Sequence, residues 1–407
     1  MLKSIPFREN RSAHKYSNTK ITMQMLISFL MGYFTQSESK HLRNDPLIND
    51  DHFIASQPTL SKMFKRMTRL TTNALSEINK KISCDYINKR LDDIILDIDS
   101  TLIELYGHQE ASAFIHHYNA TGYHPLIINE GHTGLALFAL LRTGSAYSAN
   151  GAIEVFQEVF GNLKREGKTI HMRGDSAFYN SQLMKYLDEN EIEFFIRAKN
   201  FKKLTEAVYA FVQKTSMDHI HDYSPNNPLY GEIRYTPNAV THDKEYRLVF
   251  KCYPVSSKDE DNQLIDEPEL GIYCVITNCT SKTPKEVMNF YEARGAIENC
   301  NKEIKNDFGA GTLSHKLFLE NEFEFLLKAY AYNLYQIFRM EILEDRDYKM
   351  MMSTYRNRYQ KIAVKIITHG RKKQLNYSSA YPHQTRYFHY IKKILGYDYE
   401  QIGYSCG

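Results

Sequence analysis

A chain of 407 residues, 43% hydrophobic and with a net charge of +3, is long enough for two or three domains around a substantial core, and this composition excludes a protein that is disordered throughout. No charged-then-apolar leader opens the chain, and its most apolar stretch, MQMLISFLMGYF, is too short and too polar to span a membrane, so a cytoplasmic protein without membrane attachment is expected. Cys84, Cys252, Cys274, Cys279, Cys300 and Cys406 are scattered with no C-x2-C pair, which argues against a zinc site and against a disulfide framework.

Residues 1–90 read as helical. Apolar positions recur at helical spacing through ITMQMLISFLMGYF, and SQPTLSKMFKRMTRLTTNALSEINKKI carries Ser, Pro and Thr start signals before a second amphipathic run bearing Lys62, Lys65, Arg66 and Arg69. A helical DNA-binding region is one reading of these cations; a plain packing domain is the other. Residues 91–199 alternate short apolar runs (IILDIDS, GLALFALL, KTIHMRG, EIEFFIRAK) with helical stretches, the pattern of an α/β layer with buried central strands.

Residues 200–281 change character, with LYGEIRYTP, KEYRLVFKCYPV and GIYCVITNC separated by the acidic linker SSKDEDNQLIDEPE, and read as a β-rich insertion. Residues 282–312 read as one helix. Thr283, Pro284 and Glu286 form its start, a T-x-x-E capping box with proline at the first position, and Gly309 and Gly311 supply stop signals. Residues 313–407 are mainly helical and basic. No Asp or Glu occurs from Tyr348 to Tyr397, where Lys349, Arg356, Arg358, Arg386 and Lys393 alternate with Tyr355, Tyr359 and Tyr390, a mixture suited to DNA phosphates and bases.

The helix of residues 282–312 carries Tyr291, Arg294, Glu298 and Lys305, spaced Y-x2-R-x3-E-x6-K. At about 100° per residue these four fall within a stripe of about 60°, placing a carboxylate between two cations beside a tyrosine. Upstream, IILDIDST sets Asp97 and Asp99 at the C-terminal end of an apolar strand, and MRGDSAF sets Asp175 in the same position on another. With a period of two, Asp97 and Asp99 share a face. Asp99, Asp175 and Glu298 would then converge from two strand ends and a helix as hard oxygen ligands for Mg²⁺. Asp97-x-Asp99-x-Thr101 also matches the nucleophile pattern of haloacid-dehalogenase-like phosphatases, which leaves the helical stripe unexplained.

Taken together, LDIDST, RGDSAF and Y-x2-R-x3-E-x6-K resemble the DDE transposases of bacterial insertion sequences, in the group-one family with the Y-R-E-K signature. YGHQEASAFIHHYNATGYHPLI, LRTGSAYSANGA, ASQPTLSKMFKRM and GRKKQLNYSSAYPHQ look like further segments of that family, so the resemblance runs from about Lys20 to about Leu395. It implies an RNase H-like α/β catalytic core interrupted by the β-rich insertion, with helical N- and C-terminal regions. It implies that Asp99, Asp175 and Glu298 are catalytic and bind two Mg²⁺ ions, with Mn²⁺ able to substitute, and that Tyr291, Arg294 and Lys305 hold the DNA strand being cut. The reaction implied is hydrolysis at the inverted-repeat ends of the element, then joining of the freed 3′-hydroxyls to target DNA, by a homodimer on double-stranded DNA in the nucleoid.

Two departures stand out: little sequence precedes KYSNTKITMQML, and the chain has no Trp to stack on a flipped base, a role that Tyr230, Tyr235 or Tyr246 would have to take. Two other functions remain open on the sequence, a catalytically inactive transposase-derived DNA-binding protein and a stand-alone RNase H-like nuclease. The intact acids and stripe weigh against the first, and the full-length resemblance against the second.

Overall fold

Helices α1 (Asn18–Met31), α2 (Ser39–Asn44), α3 (Gln57–Phe64) and α4 (Arg69–Arg90) open the computed structural model. It describes all residues except 10, 12–13, 46–47, 49–53, 147–150, 165, 200, 238–243, 256–268, 370–371 and 397–407, and only the backbone of 368–369 and 372–373. The Ser17 hydroxyl caps α1 by accepting from the Lys20 amide, and Gly32 ends it in the left-handed conformation at φ 86°. Of the four cations expected on one amphipathic run, Lys62 and Lys65 are exposed, whereas Arg66 is buried and donates twice to Asn18 Oδ1 at 3.0 and 2.7 Å. Arg69 pairs with Glu322.

The apolar run Ile94, Ile95, Leu96 and Ile98 is buried in β1 (Asp93–Ser100), as a strand covered on both faces requires. It is followed by β2 (Leu126–Glu130), β3 (Ala136–Leu140), α5 (Ala152–Asn162), β4 (Thr169–Gly174), α6 (Ser181–Glu189) and β5 (Glu193–Arg197). These strands lie in the order β3-β2-β1-β4-β5, with β2 antiparallel to β1 and β3, and β4 parallel to β1 and β5. This is the RNase H-like arrangement. A small three-stranded sheet of Ile103–Glu104, Ala113–Ile115 and Ala120–Tyr123 lies between β1 and β2 in the chain.

The segment read as a β-rich insertion starts with a helix, α7 (Lys202–Thr215), whose Leu204, Val208 and Val212 are fully buried at four-residue spacing. Its strands β6 (Leu229–Tyr235), β7 (Tyr246–Val255) and β8 (Glu269–Thr277) continue the core sheet, because β8 pairs antiparallel with β5 and extends the order to β3-β2-β1-β4-β5-β8-β7-β6. The linker SSKDEDNQLIDEPE lies outside the described residues except for Glu269. Tyr246 is buried edge-on against Phe194, so it is not free to stack on a base, whereas Tyr230 and Tyr235 are half-buried.

The capping box at Thr283 forms as expected, with the Glu286 carboxylate accepting from the Thr283 amide at 2.8 Å. The helix it starts is broken, however, into α8 (Pro284–Glu292) and α9 (Gly295–Asn306). The Arg294 amide bonds to Tyr291 O instead of to the Phe290 carbonyl four residues back, and that carbonyl accepts from Arg173 Nη1 at 2.8 Å. A tertiary arginine has taken an intrahelical acceptor just before Gly295, a residue of low helix propensity. Beyond α9, Gly309 adopts φ +70°, where a Cβ would stand 2.4 Å from Phe34 Cγ.

The buried helix α10 (Phe318–Ile342) secures the loop after α9, its Lys328 ammonium donating to Gly309 O at 2.8 Å and Thr312 O at 3.0 Å. Then come α11 (Asp345–Tyr348), α12 (Met352–Tyr355), a π turn over Arg356–Gln360, the hairpin β9 (Val364–His369) and β10 (Lys372–Tyr377), and α13 (Gln384–Leu395). The hairpin departs from the helical expectation for this region, in keeping with the β-branched run Val364, Ile366, Ile367 and Thr368. Cys84, Cys252, Cys274, Cys279 and Cys300 are free thiols, and Cys406 lies outside the described residues.

Candidate active site

Parallel pairing of β1 with β4 sets Asp97 beside Arg173 and Ile98 beside Gly174, so Asp99 and Asp175 emerge one step further along adjacent strands. Asp97 is almost wholly buried and receives both Nε and Nη2 of Arg173, each at 2.6 Å. That bidentate clamp, together with the bond from Arg173 to the Phe290 carbonyl, ties β1, β4 and α8 into one unit. A carboxylate held in this way is not free to attack a phosphoryl group, which removes the phosphatase reading of Asp97.

Asp99 is held differently. Its Oδ1 accepts from Arg294 Nη2 at 3.0 Å and its Oδ2 from Asn301 Nδ2 at 2.7 Å. Burial raises the Asp99 carboxyl above its ordinary value, the Asp175 charge adds to the rise and Arg294 opposes it. Asp175 caps a 3₁₀ turn through its side chain, which accepts from the Ala177 amide at 2.9 Å. The Tyr118 hydroxyl donates to Ser100 O at 3.3 Å and is raised by burial and by the Asp99 and Asp175 charges. Lys305 Nζ lies 3.3 Å from Thr101 Oγ1, and burial lowers its pKa. For Arg294, burial works against the charge but the surrounding acids, Asp99 first, raise the guanidinium.

The break at Arg294 alters the expected stripe. Tyr291 belongs to α8 and lies buried with Phe195, Val249, Val275 and Met288, its ring 6.1 Å from that of Tyr273. Arg294, the N-cap of α9, stays aligned with Glu298 and Lys305 on that helix, and Asn301 joins them at the same helical period. Three of these four face the end of β1: Arg294 and Asn301 touch Asp99, and Lys305 touches Thr101. Glu298 lies between Arg294 and Asn301 on that face and is exposed, and its carboxylate has no hydrogen bond or ion pair among the described residues.

Sequence reasoning missed Arg173, Asn301 and Tyr118. Asn301 was within reach of it, since it stands three residues after Glu298 on the same stripe. Arg173 and Tyr118 gave no signal, because their partners lie 76 and 18 residues away.

Among the described residues no three Asp, Glu, His or Cys side chains close on a point as a finished metal site. The donors nevertheless fit a hard divalent cation. The Asp175 charge helps to raise the Asp99 carboxyl, and the Asn301 Oδ1 beside Asp99 is buried without a hydrogen-bond partner, whereas among the described residues no contact joins Glu298 to either acid. Arg294 supplies Asp99 with a positive charge, and both Arg294 and Asn301 donate hydrogen bonds to it.

The model of the transposase DDE domain group 1 family matches residues 2–397 of this chain. The chain belongs to that family. As a family member it is a DNA transposase in general terms. The structure is similar to that of the piggyBac transposase synaptic complex with hairpin DNA, at a TM-score of 0.45 and 11% identity over 86% of this chain and 73% of that one. It is also similar to the Drosophila P element transposase strand transfer complex, at a TM-score of 0.27 and 10% identity over 52% of this chain and 46% of that one. No curated protein matches the chain in sequence. Among the described residues no helix is long and apolar enough to cross a membrane.

Proposed function

We propose that this chain is the transposase of a bacterial insertion sequence: it binds the element's terminal inverted repeats, cleaves the ends and joins the 3′-hydroxyls to target DNA, as a homodimer that pairs two ends in the cytoplasm. The observation that carries the reading is the α9 face, where Arg294 and Asn301 grip Asp99 from either side of Glu298, with Asp175 on the neighbouring strand. A protein that only bound DNA would have no use for a carboxylate exposed between a guanidinium and an ammonium.

Asp99, Asp175 and Glu298 would hold the divalent ions, two Mg²⁺ with Mn²⁺ able to substitute. Bound there, such ions activate the attacking water or hydroxyl and stabilise the leaving oxygen. Arg294 and Lys305 present cations to the phosphates of the strand being cut, and Arg294 is kept charged by the acids around it. Asn301 fixes the Asp99 carboxylate through Oδ2, as Arg294 does through Oδ1. Tyr291 acts from beneath, packed in the core next to Arg294, while half-buried Tyr230 and Tyr235 take any base-stacking role.

The test is strand cleavage of a duplex taken from the DNA flanking the gene, with Mg²⁺, comparing the wild type with Glu298→Gln. The reading expects cleavage at inverted-repeat ends by the wild type and none by the variant, which still binds the duplex. A variant that cuts as well as the wild type would remove Glu298 from the site.

A further inference from the structure

The C-terminal region contains a cleft of about 640 Å³ that none of the catalytic chemistry uses, formed where α11, α12 and the π turn meet the start of α13. Its walls carry Arg346, Lys349, Arg358 and Arg386 with His383, against a single acid, Asp347. That acid is already paired. Its Oδ2 accepts from the hydroxyls of Tyr359 at 2.6 Å and Tyr390 at 2.9 Å and from Arg386 at 3.1 Å, while Arg358 stands 3.5 Å from Oδ1. Asp347 therefore anchors the Arg358 and Arg386 guanidiniums at the cleft wall, where Arg386 also stands 3.4 Å from Asp345. Arg346 and Lys349 are exposed and have no ion pair among the described residues.

The cleft is joined to the site. The Met352 amide donates to Glu303 on α9 at 2.8 Å, the Ser353 amide donates to Asp307 just beyond α9 at 2.8 Å, and the buried Arg356 guanidinium donates to the carbonyls of Phe29, Leu30 and Asp307. One face of α9 thus presents the residues around Asp99, while its other side and its end fix the wall of the cationic cleft.

We propose that this cleft is a second phosphate-binding site, which takes a phosphodiester of the DNA backbone away from the scissile bond. Two cations without an ion pair among the described residues, Arg346 and Lys349, beside two guanidiniums anchored by acids in a concave cleft, match a phosphate with its counterions released. The assignment rests on the reading of the chain as a DNA transposase for its ligand, and on the cleft alone for its location.

The experiment uses the full chain and the double variant Arg346→Ala/Lys349→Ala, titrating a duplex of arbitrary sequence by fluorescence anisotropy across a salt series. If each cation meets one phosphate, the slope of log affinity against log salt becomes shallower by about 2, and affinity near 0.1 M salt falls on the order of tenfold or more. Arg346→Lys/Lys349→Arg keeps the charges and should keep the wild-type slope. An unchanged slope in the alanine variant, or a wild type that binds no duplex, overturns the proposal.

A parallel thermal-unfolding titration with inorganic phosphate separates the possible sources. Stabilisation of the wild type alone, with no change in the DNA slope, would make the cleft a small-anion site and would also overturn the DNA assignment. Because the readout is binding, a wild type that fails to cut element ends while the slope still changes would sink the catalytic reading and leave the cleft standing.

Discussion

Asp97 and Asp99 stand two residues apart on one strand and face the same way, yet they sit in opposite environments. Asp97 lies opposite Arg173 and is closed off, its side chain 0% exposed and both oxygens filled by one guanidinium. Asp99 lies opposite Asp175, is 18% exposed, and depends on two single donors from α9. The period of two in β4 sets Arg173 and Asp175 against the same period in β1, so an opposite-charge pair lies inside the sheet and a like-charge pair at its rim. The inner pair holds the sheet to α8. At the rim, Asp99 is held to α9 by Arg294 and Asn301, and the Asp175 charge helps to raise its carboxyl.

The largest effect expected from breaking this contrast is on stability. Arg173→Leu leaves Asp97 buried without its partner and releases the Phe290 carbonyl, and should cost about 3–5 kcal/mol in denaturant unfolding. A loss below about 1 kcal/mol would show that the pair is not a structural clamp. At the rim, Asn301→Ala should leave stability nearly unchanged while lowering divalent-metal affinity or cleavage roughly 10–100-fold, the range seen when a residue orienting a metal ligand is removed. Equal metal affinity in the two proteins would leave Asn301 as packing only.

A third buried acid, Asp347, gives the smallest and most specific effect. Burial alone would raise its carboxyl, but the hydroxyls of Tyr359 and Tyr390 and the Arg386 guanidinium together hold it below the ordinary value. A depressed folded pKa gives stability that is present above the unfolded value of about 3.9 and is lost as pH falls through the folded one. Acid unfolding of the wild type should therefore be steeper below about pH 4 than that of Asp347→Asn, by about one proton. Superimposable acid limbs would contradict this.

Much of this contrast could be read in the sequence. IILDIDS and KTIHMRGDS show buried strands ending in acids, and Thr283 with Glu286 shows the start of α8. What the sequence could not show is which partner each acid meets. The break between α8 and α9 depends on Arg173 capturing a carbonyl 117 residues away, and local propensity carries no trace of that contact. The acid-free C-terminal run looked like one open basic face, yet Arg356 is buried under three backbone carbonyls, and Arg358 and Arg386 turn to an acid, Asp347, that precedes the run. The helix α7 was legible in its spacing of Leu204, Val208 and Val212 but was overshadowed by the strands that follow it.

The most direct test of the central claim places Asp97→Asn beside Asp99→Asn in Mg²⁺-dependent cleavage of the element's own ends, at a temperature where both variants are folded. Asp99→Asn should cut at background level, on the order of 1,000-fold or more below the wild type, with its DNA binding retained. Asp97→Asn should unfold at a lower temperature but cut within about tenfold of the wild type, a barrier change of about 1.4 kcal/mol. Equal loss of cleavage in the two folded variants would contradict the division of the strand into an inner structural acid and an outer catalytic one.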